Sequence, residues 1–173
     1  MRRLLLLRHA KSEWPNGVAD PERPLAPRGR AAAPRMAAYL AREKLVANKV
    51  LVSPARRTRE TWDLVFPQLK PAPEVASEPR IYEAPVARLL AVVREQPAHV
   101  HTLMMVGHNP GLEDLTFMLC SSAAGDALER AKVKFPTGAL AVIDLPVDEW
   151  SAVAPETGRL DRFIQPRELI VPE

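Results

Sequence analysis

The stretch Leu4-Leu5-Leu6-Leu7-Arg8-His9-Ala10-Lys11 decides how this chain is read. Four consecutive leucines carry no polar face, so a strand here must be covered on both sides, as strands of parallel sheets are. The apolar run then stops at an arginine, a histidine and a second cation. One imidazole beside fixed positive charge at a strand end suits attack on phosphorus, and its partners must come from elsewhere in the chain.

Three further apolar runs of strand length lie at 50–52, 103–106 and 139–145. Helical patterns separate them at 27–44, 54–66, 86–95 and 111–119. This alternation predicts a three-layer α/β/α domain with a mostly parallel central sheet. Pro34 predicts a kink in the first helix or its division into two turns. Residues 158–163 predict an added edge strand, followed by an irregular tail.

A chain of 173 residues that is 47% apolar can bury one ordinary core, so residues 1–173 are read as one domain. The sole cysteine, Cys120, has no internal partner for a disulfide. The four leucines after Arg2-Arg3 fall short of the roughly 7–15 residues of a secretory apolar region. No run reaches the roughly 18 apolar residues of a membrane span. These features predict a soluble, cytoplasmic protein with no membrane partner. A net charge of +3 is too mild to argue for nucleic acid. Neither a glycine-rich dinucleotide motif nor a P-loop occurs. His99-Val100-His101 has the spacing of a metal-ligand pair but lacks a third ligand nearby, so neither metal nor cofactor is expected.

Two junctions share one grammar. In Val52-Ser53-Pro54 and in His108-Asn109-Pro110, a strand runs into a residue suited to cap a helix and then into proline. Helix starts reached from parallel strands present unpaired N–H groups and attract anions. Such ends gather at the carboxyl edge of an open sheet, where ligands bind. Arg8-His9, Ser53-Pro54 and His108 should therefore meet on that edge.

A phosphoryl group needs fixed donors around its oxygens and an in-line nucleophile. His9 is the candidate nucleophile, with Arg8 holding oxygens. On the second helix Arg56 has Glu60 four residues on and Arg59 has Asp63, whereas Arg57 has Thr61. Arg57 is thus the candidate second arginine, with Glu60 at i+3 as its alternative partner. His108 is the fourth candidate phosphate ligand, the alternative for it being a helix-terminus contact. Ser12, Lys11 and Asn109 are candidate phosphate- or substrate-side residues. Arg23 and Arg28 either reach substrate beyond its phosphate or anchor the loop after His9.

Residues 8–14 (Arg8-His9-Ala10-Lys11-Ser12-Glu13-Trp14), 53–61 around Arg56-Arg57, and Gly107-His108-Asn109-Pro110 resemble the three motifs of the histidine phosphatase superfamily, in order. Asp20-Pro21-Glu22-Arg23-Pro24-Leu25, Arg28-Gly29 and Phe135-Pro136-Thr137-Gly138 resemble its SixA-like phosphohistidine phosphatases in particular. The resemblance spans nearly the whole chain. It implies a phosphoglycerate mutase-like fold, a phosphorylated His9, a phosphate pocket of Arg8, Arg57 and His108, and no metal. Ser12 matches a phosphate-side position of the phosphoglycerate mutase branch. Ala10 stands where the family usually has glycine, a change that is harmless outside the positive-φ region.

The leaving group decides whether an acid is required. A phosphate ester leaves as a basic oxygen and needs a proton, for which Glu83 is the candidate and Glu13 a poorer one. A phosphohistidine leaves as imidazole and tolerates a weak or missing acid. Glu83's role stays open at this point, and the SixA-like resemblance implies phosphohistidine in a signalling or phosphotransfer protein as the expected substrate. The alternatives are a small phosphate ester or phosphosugar, and a phosphate-recognition module without turnover.

Overall fold

The leucine run lies in β1 (Arg2–Arg8), the middle strand of a seven-stranded sheet. The structure, a computed structural model, describes residues 1–170. Leu4 and Leu6 enter one core and Leu5 and Leu7 another, and none of the four is more than 1% exposed. Each such burial is worth about 1.5–3 kcal/mol, which is why the run has no polar member.

The sheet order is β3 (Glu74–Ser77), β2 (Lys49–Val52), β4 (Thr102–Gly107), β1, β6 (Leu140–Leu145), β7 (Gly158–Ile164) and β5 (Cys120–Ala123). Only β6 runs against its neighbours; every other pairing is parallel. On the Leu5 and Leu7 side pack α1 (Pro27–Arg42) and α2 (Arg56–Val65), through Met36, Leu40, Trp62 and Val65. On the opposite side pack α3 (Val86–Arg94), α4 (Gly111–Leu119) and α5 (Ala127–Val133), through Val92, Val93, Leu115 and Ala131. The expected three layers and mostly parallel sheet are present.

Register brings the functional edge together. Arg8 lies opposite Gly107, and Val52 opposite Val106, so β1, β4 and β2 end level. The His9 N–H donates to Gly107 O at 3.1 Å and the Ser53 N–H to Val106 O at 3.1 Å. Because β6 is antiparallel, its start arrives at the same edge. Gly138, at φ +77°, turns its N–H onto His9 O at 2.8 Å, a backbone conformation that glycine adopts without steric cost.

Several sequence expectations change. Pro34 neither kinks α1 enough to end it nor divides it; the helix is continuous, with Ala33, Met36, Ala37 and Leu40 buried as one stripe. That stripe, packed on the sheet, outweighs the single lost backbone hydrogen bond. Strand β7 is internal, because β5 pairs outside it. Strands β3 and β5 do not announce themselves, because Glu-Val-Ala-Ser and Cys-Ser-Ser-Ala contain no apolar run, and helix α5 is only seven residues long. Helix α2 begins at Arg56, two residues later than the Pro54 start predicted. No helix among the described residues is long and apolar enough to cross a membrane.

Helix α1 sits hard against the loop after His9. A Cβ on Gly29 would lie 2.2 Å from Lys11 O and 2.8 Å from Lys11 N, while the Ala26 N–H donates to that same oxygen at 2.8 Å. Alanine ordinarily stabilises a helix interior relative to glycine by about 1 kcal/mol. Here the backbone clash reverses the sign: Gly29→Ala should lower unfolding free energy by about 1–3 kcal/mol in urea titrations. A stabilised variant would show that this contact is not tight.

Candidate active site

At the end of β1 His9 is buried, with 6% exposure, and its Nδ1 lies 2.8 Å from Ala10 O. A carbonyl only accepts, so Nδ1 carries the hydrogen and Nε2 is left with a lone pair. Burial pushes the His9 imidazole down to about 3, and His108, Arg57 and Arg8 add to the depression against the Ala10 hydrogen bond. A neutral imidazole with its outer nitrogen bare is the nucleophilic form. Ala10 has no positive φ, so the alanine is accommodated; its N–H donates to Thr61 Oγ1 at 3.0 Å. Thr61 in turn donates to Arg57 O at 2.7 Å, tying α2 to the loop after β1.

His108, directly after β4, stands with its ring centroid 5.4 Å from that of His9. Burial, then Arg57, lowers its imidazole to about 3, with Asp20 opposing. Its Nε2 lies 2.7 Å from Ser53 Oγ. When that hydroxyl donates, Nδ1 bears the hydrogen and is a free donor. Ser53 Oγ also accepts from the Ala55 N–H at 3.4 Å, so one hydroxyl serves both the second histidine and the turn leading into α2. Helix α4 starts at Gly111 with Pro110, not the expected Asn109, at the cap; from one residue earlier Asn109 Oδ1 accepts from the Glu113 N–H at 3.2 Å, and its Nδ2 donates to Phe135 O at 3.0 Å.

Arg57, in the first turn of α2, is 3% exposed. Its guanidinium donates to Asp20 O at 2.9 Å and to Asp20 Oδ2 at 3.1 Å. Glu60 does not reach it: that carboxylate accepts from the Leu25 N–H at 2.8 Å and pairs with Arg30 and Arg56, each at 3.3 Å. Arg59, expected opposite Asp63, donates to Pro54 O at 3.0 Å. Arg8 donates to Phe135 O at 2.8 Å, and burial lowers its guanidinium pKa against the pull of Glu113.

Three buried donor positions here have no partner within the protein: Arg8 Nε, Arg57 Nε and His108 Nδ1. Among the described residues only Gln96 Oε1 shares that condition. Unsatisfied buried polar atoms are costly, so their concentration around one histidine marks a place built for an anion. All three residues and His9 line one cavity of about 240 Å³, together with Ser12, Lys11, Asn109 and Glu83. The eight residues expected for catalysis and phosphate binding all lie on it, whereas Glu13, the poorer acid candidate, and Arg28 do not.

Asp20 was not foreseen. It sits in a one-turn helix at Asp20–Glu22 and accepts from Arg57, from Arg23 at 3.1 Å and from the Tyr82 hydroxyl. Burial opposes its charge, but Tyr82, Arg23 and Arg57 together hold the carboxyl below the usual carboxylate range. Burial and Asp20 push the Tyr82 hydroxyl up to about 12. Arg23 also donates to Ser12 Oγ at 2.8 Å and stacks 3.2 Å over Trp14, so it anchors the loop after His9. Sequence separations of 37 and 62 residues hid these pairs from any local pattern. Glu83, at φ +46°, holds Oε1 3.9 Å from Arg57 Nη2, with its side chain 58% exposed. His99 lies 3.5 Å from Glu74, and Arg2 reaches His101 at 3.1 Å, so the two rings are engaged separately.

A mostly parallel α/β/α sheet that gathers two histidines and two arginines at its carboxyl edge is the phosphoglycerate mutase-like fold. The sequence model of the histidine phosphatase superfamily (branch 1) matches residues 4–98, and this chain belongs to that family. An uncharacterized protein of Mycobacterium tuberculosis is 36% identical over 163 residues, covering 93% of this chain and 100% of that one. The structure of a proposed phosphohistidine phosphatase SixA from Agrobacterium tumefaciens matches with TM-score 0.77 at 30% identity, over 95% of this chain and 97% of that one. Its counterpart from Nakamurella multipartitia matches with TM-score 0.83 at 26% identity, over 95% and 96% of the two chains.

Both imidazoles sit near 3, against 6.5 for an unperturbed histidine, so between those values the folded protein binds fewer protons than the unfolded chain. Their contribution to stability is complete above pH 6.5 and is lost as pH falls toward 3. The urea midpoint should drop from pH 6.5 to 5, where carboxylates stay ionised, and should drop less in His108→Gln. A midpoint independent of pH in that window would contradict the buried neutral pair.

Proposed function

We propose that this histidine phosphatase works through a phosphohistidine intermediate on His9 and acts on phosphohistidine in a signalling or phosphotransfer protein. The observation that carries the reading is that Arg8, Arg57 and His108, each with an unpartnered buried nitrogen, line one cavity with His9. Nε2 of His9 attacks phosphorus in line and the bond from phosphorus to the substrate imidazole breaks. Arg8, Arg57 and His108 meet the charge on the equatorial oxygens. The departing imidazole takes up a proton from solvent, which is returned when the attacking water of the next step is deprotonated. Water then attacks the phosphoenzyme, releasing inorganic phosphate and neutral His9. Ser12, Lys11 and Asn109 contact phosphate or substrate at the cavity wall. Every charge in this scheme is met by protein donors, without metal or cofactor.

Asp20, itself on the cavity wall, positions the site: it neutralises one face of Arg57 and leaves Nε free. The protein is read as cytoplasmic, because its one cysteine, Cys120, is buried and unpaired. A second reading, hydrolysis of small phosphate esters, is favoured by the place of Glu83 on the cavity, where a carboxyl could protonate an oxygen leaving group.

Incubation with a labelled phosphohistidine protein and a panel of small esters separates these readings. His9→Ala should abolish turnover and yield no trapped phosphoenzyme; full activity in that variant would refute the mechanism. Glu83→Gln should slow ester hydrolysis about 100-fold or more and leave phosphohistidine cleavage nearly unchanged. Binding of phosphate without any turnover in the intact protein would make it a recognition module.

A further inference from the structure

A second concavity, of about 490 Å³, adjoins the first and shares Arg8, Lys11 and Thr137 with it. Its charged lining consists of Arg8, Lys11, Arg28, Arg35, Lys134 and Arg167, with no aspartate or glutamate. These cations come from separate parts of the chain. Arg8 and Lys11 flank His9, Arg28 and Arg35 lie two turns apart on α1, Lys134 follows α5, and Arg167 belongs to the turn Pro166–Leu169. No run of charge in the sequence announces them, and a net charge of only +3 conceals them.

None of the six is in a salt bridge among the described residues, whereas ten of the chain's eighteen arginines are. Six like charges around one groove repel each other, a cost relieved when an anion binds. Five of them are exposed, and only Arg8 is partly covered. A pocket that closes on a compact polyphosphate would bury its cations. Exposed heads spread along an open groove suit several carboxylates on an extended segment, which arginine forks can take in pairs.

We propose that this groove docks an acidic segment of the phosphoprotein substrate adjoining its phosphohistidine. The proposal rests on the reading of the site as a phosphohistidine phosphatase. A free phosphoamino acid would occupy only the smaller cavity. A protein substrate must continue past it, and the groove opens where Arg8 and Lys11 form the common wall. Rows of aspartate or glutamate beside the phosphohistidine are therefore selected by charge, and the preference weakens as salt screens it.

The test uses three phosphorylated probes: a phosphohistidine peptide flanked by four glutamates, the same peptide with glutamines, and phosphoramidate. At low salt the intact enzyme should show about tenfold higher kcat/KM on the glutamate peptide than on the glutamine peptide, expressed in KM. The double variant Arg35→Glu with Arg167→Glu, and separately Lys134→Glu, should erase that advantage and leave phosphoramidate turnover unchanged. Equal rates on both peptides, or an equal loss on phosphoramidate, would overturn the proposal. Fluorescence anisotropy with the unphosphorylated glutamate peptide probes the groove without catalysis. Binding that is lost in the variants supports docking even if phosphohistidine is not hydrolysed, which would count only against the proposed activity. Hydrolysis without any binding preference counts only against the groove. Tight binding of inorganic tripolyphosphate with none of the glutamate peptide would assign the groove to a small-molecule phosphate and refute the acidic segment.

Discussion

The pairing of β1 with β4 on one side and β6 on the other sets the geometry on which the site depends. Parallel register makes β1, β4 and β2 end level, so that His9, His108 and Ser53 emerge side by side. The antiparallel β6 brings Gly138 to the same edge, where its N–H holds the chain just beyond β1. Each of those backbone bonds joins residues far apart in the chain. A slip of one residue would turn Leu4–Leu7 inside out with respect to their two cores and carry His9 off the edge. The hydrophobic packing that stabilises the sheet therefore also places the His9 imidazole.

The second constraint is electrostatic. A cavity that is to take a phosphoryl group, as proposed for this one, must concentrate positive charge, and like charges held close repel each other. The structure moderates this in two ways. Both histidines are held neutral by burial, so they add donors without adding charge. Asp20 offsets Arg57 and Arg23 and is steadied by Tyr82, leaving the inner faces of the cavity polar and unpaired. Arg8 is treated differently: a backbone carbonyl, not a carboxylate, receives its hydrogen bond. Positive charge left unneutralised at Arg8 continues into the adjoining groove.

Much of this is legible from the order of residues. Unbroken apolar runs identified β1, β2, β4 and β6, because strands covered on both faces have no polar alternation to blur them. His9 and Arg8 were legible because they interrupt such a run, and Arg57 because its helical neighbours at i+4 leave it without an acid. What escaped was of three kinds. Strands β3 and β5 are short and polar, and their existence depends on an edge already laid down beside them. Asp20 and Tyr82 meet Arg57 only after two long loops close, and no local spacing records such a meeting. The continuity of α1 through Pro34 is a third instance, in which packing of a buried stripe overrides a local preference.

Sequence by itself determined the class of fold and singled out the histidine proposed for attack, since these follow from local hydrophobicity and from the ionisable groups that punctuate it. Tertiary structure alone decided the protonation of that residue, the identity of the carboxylate that steadies the pocket and the single sign of charge along the groove. The physical reason is range. Hydrophobic patterning and helical spacing act between near neighbours, whereas pKa values and electrostatic fields depend on burial and on charges contributed by segments more than a hundred residues apart.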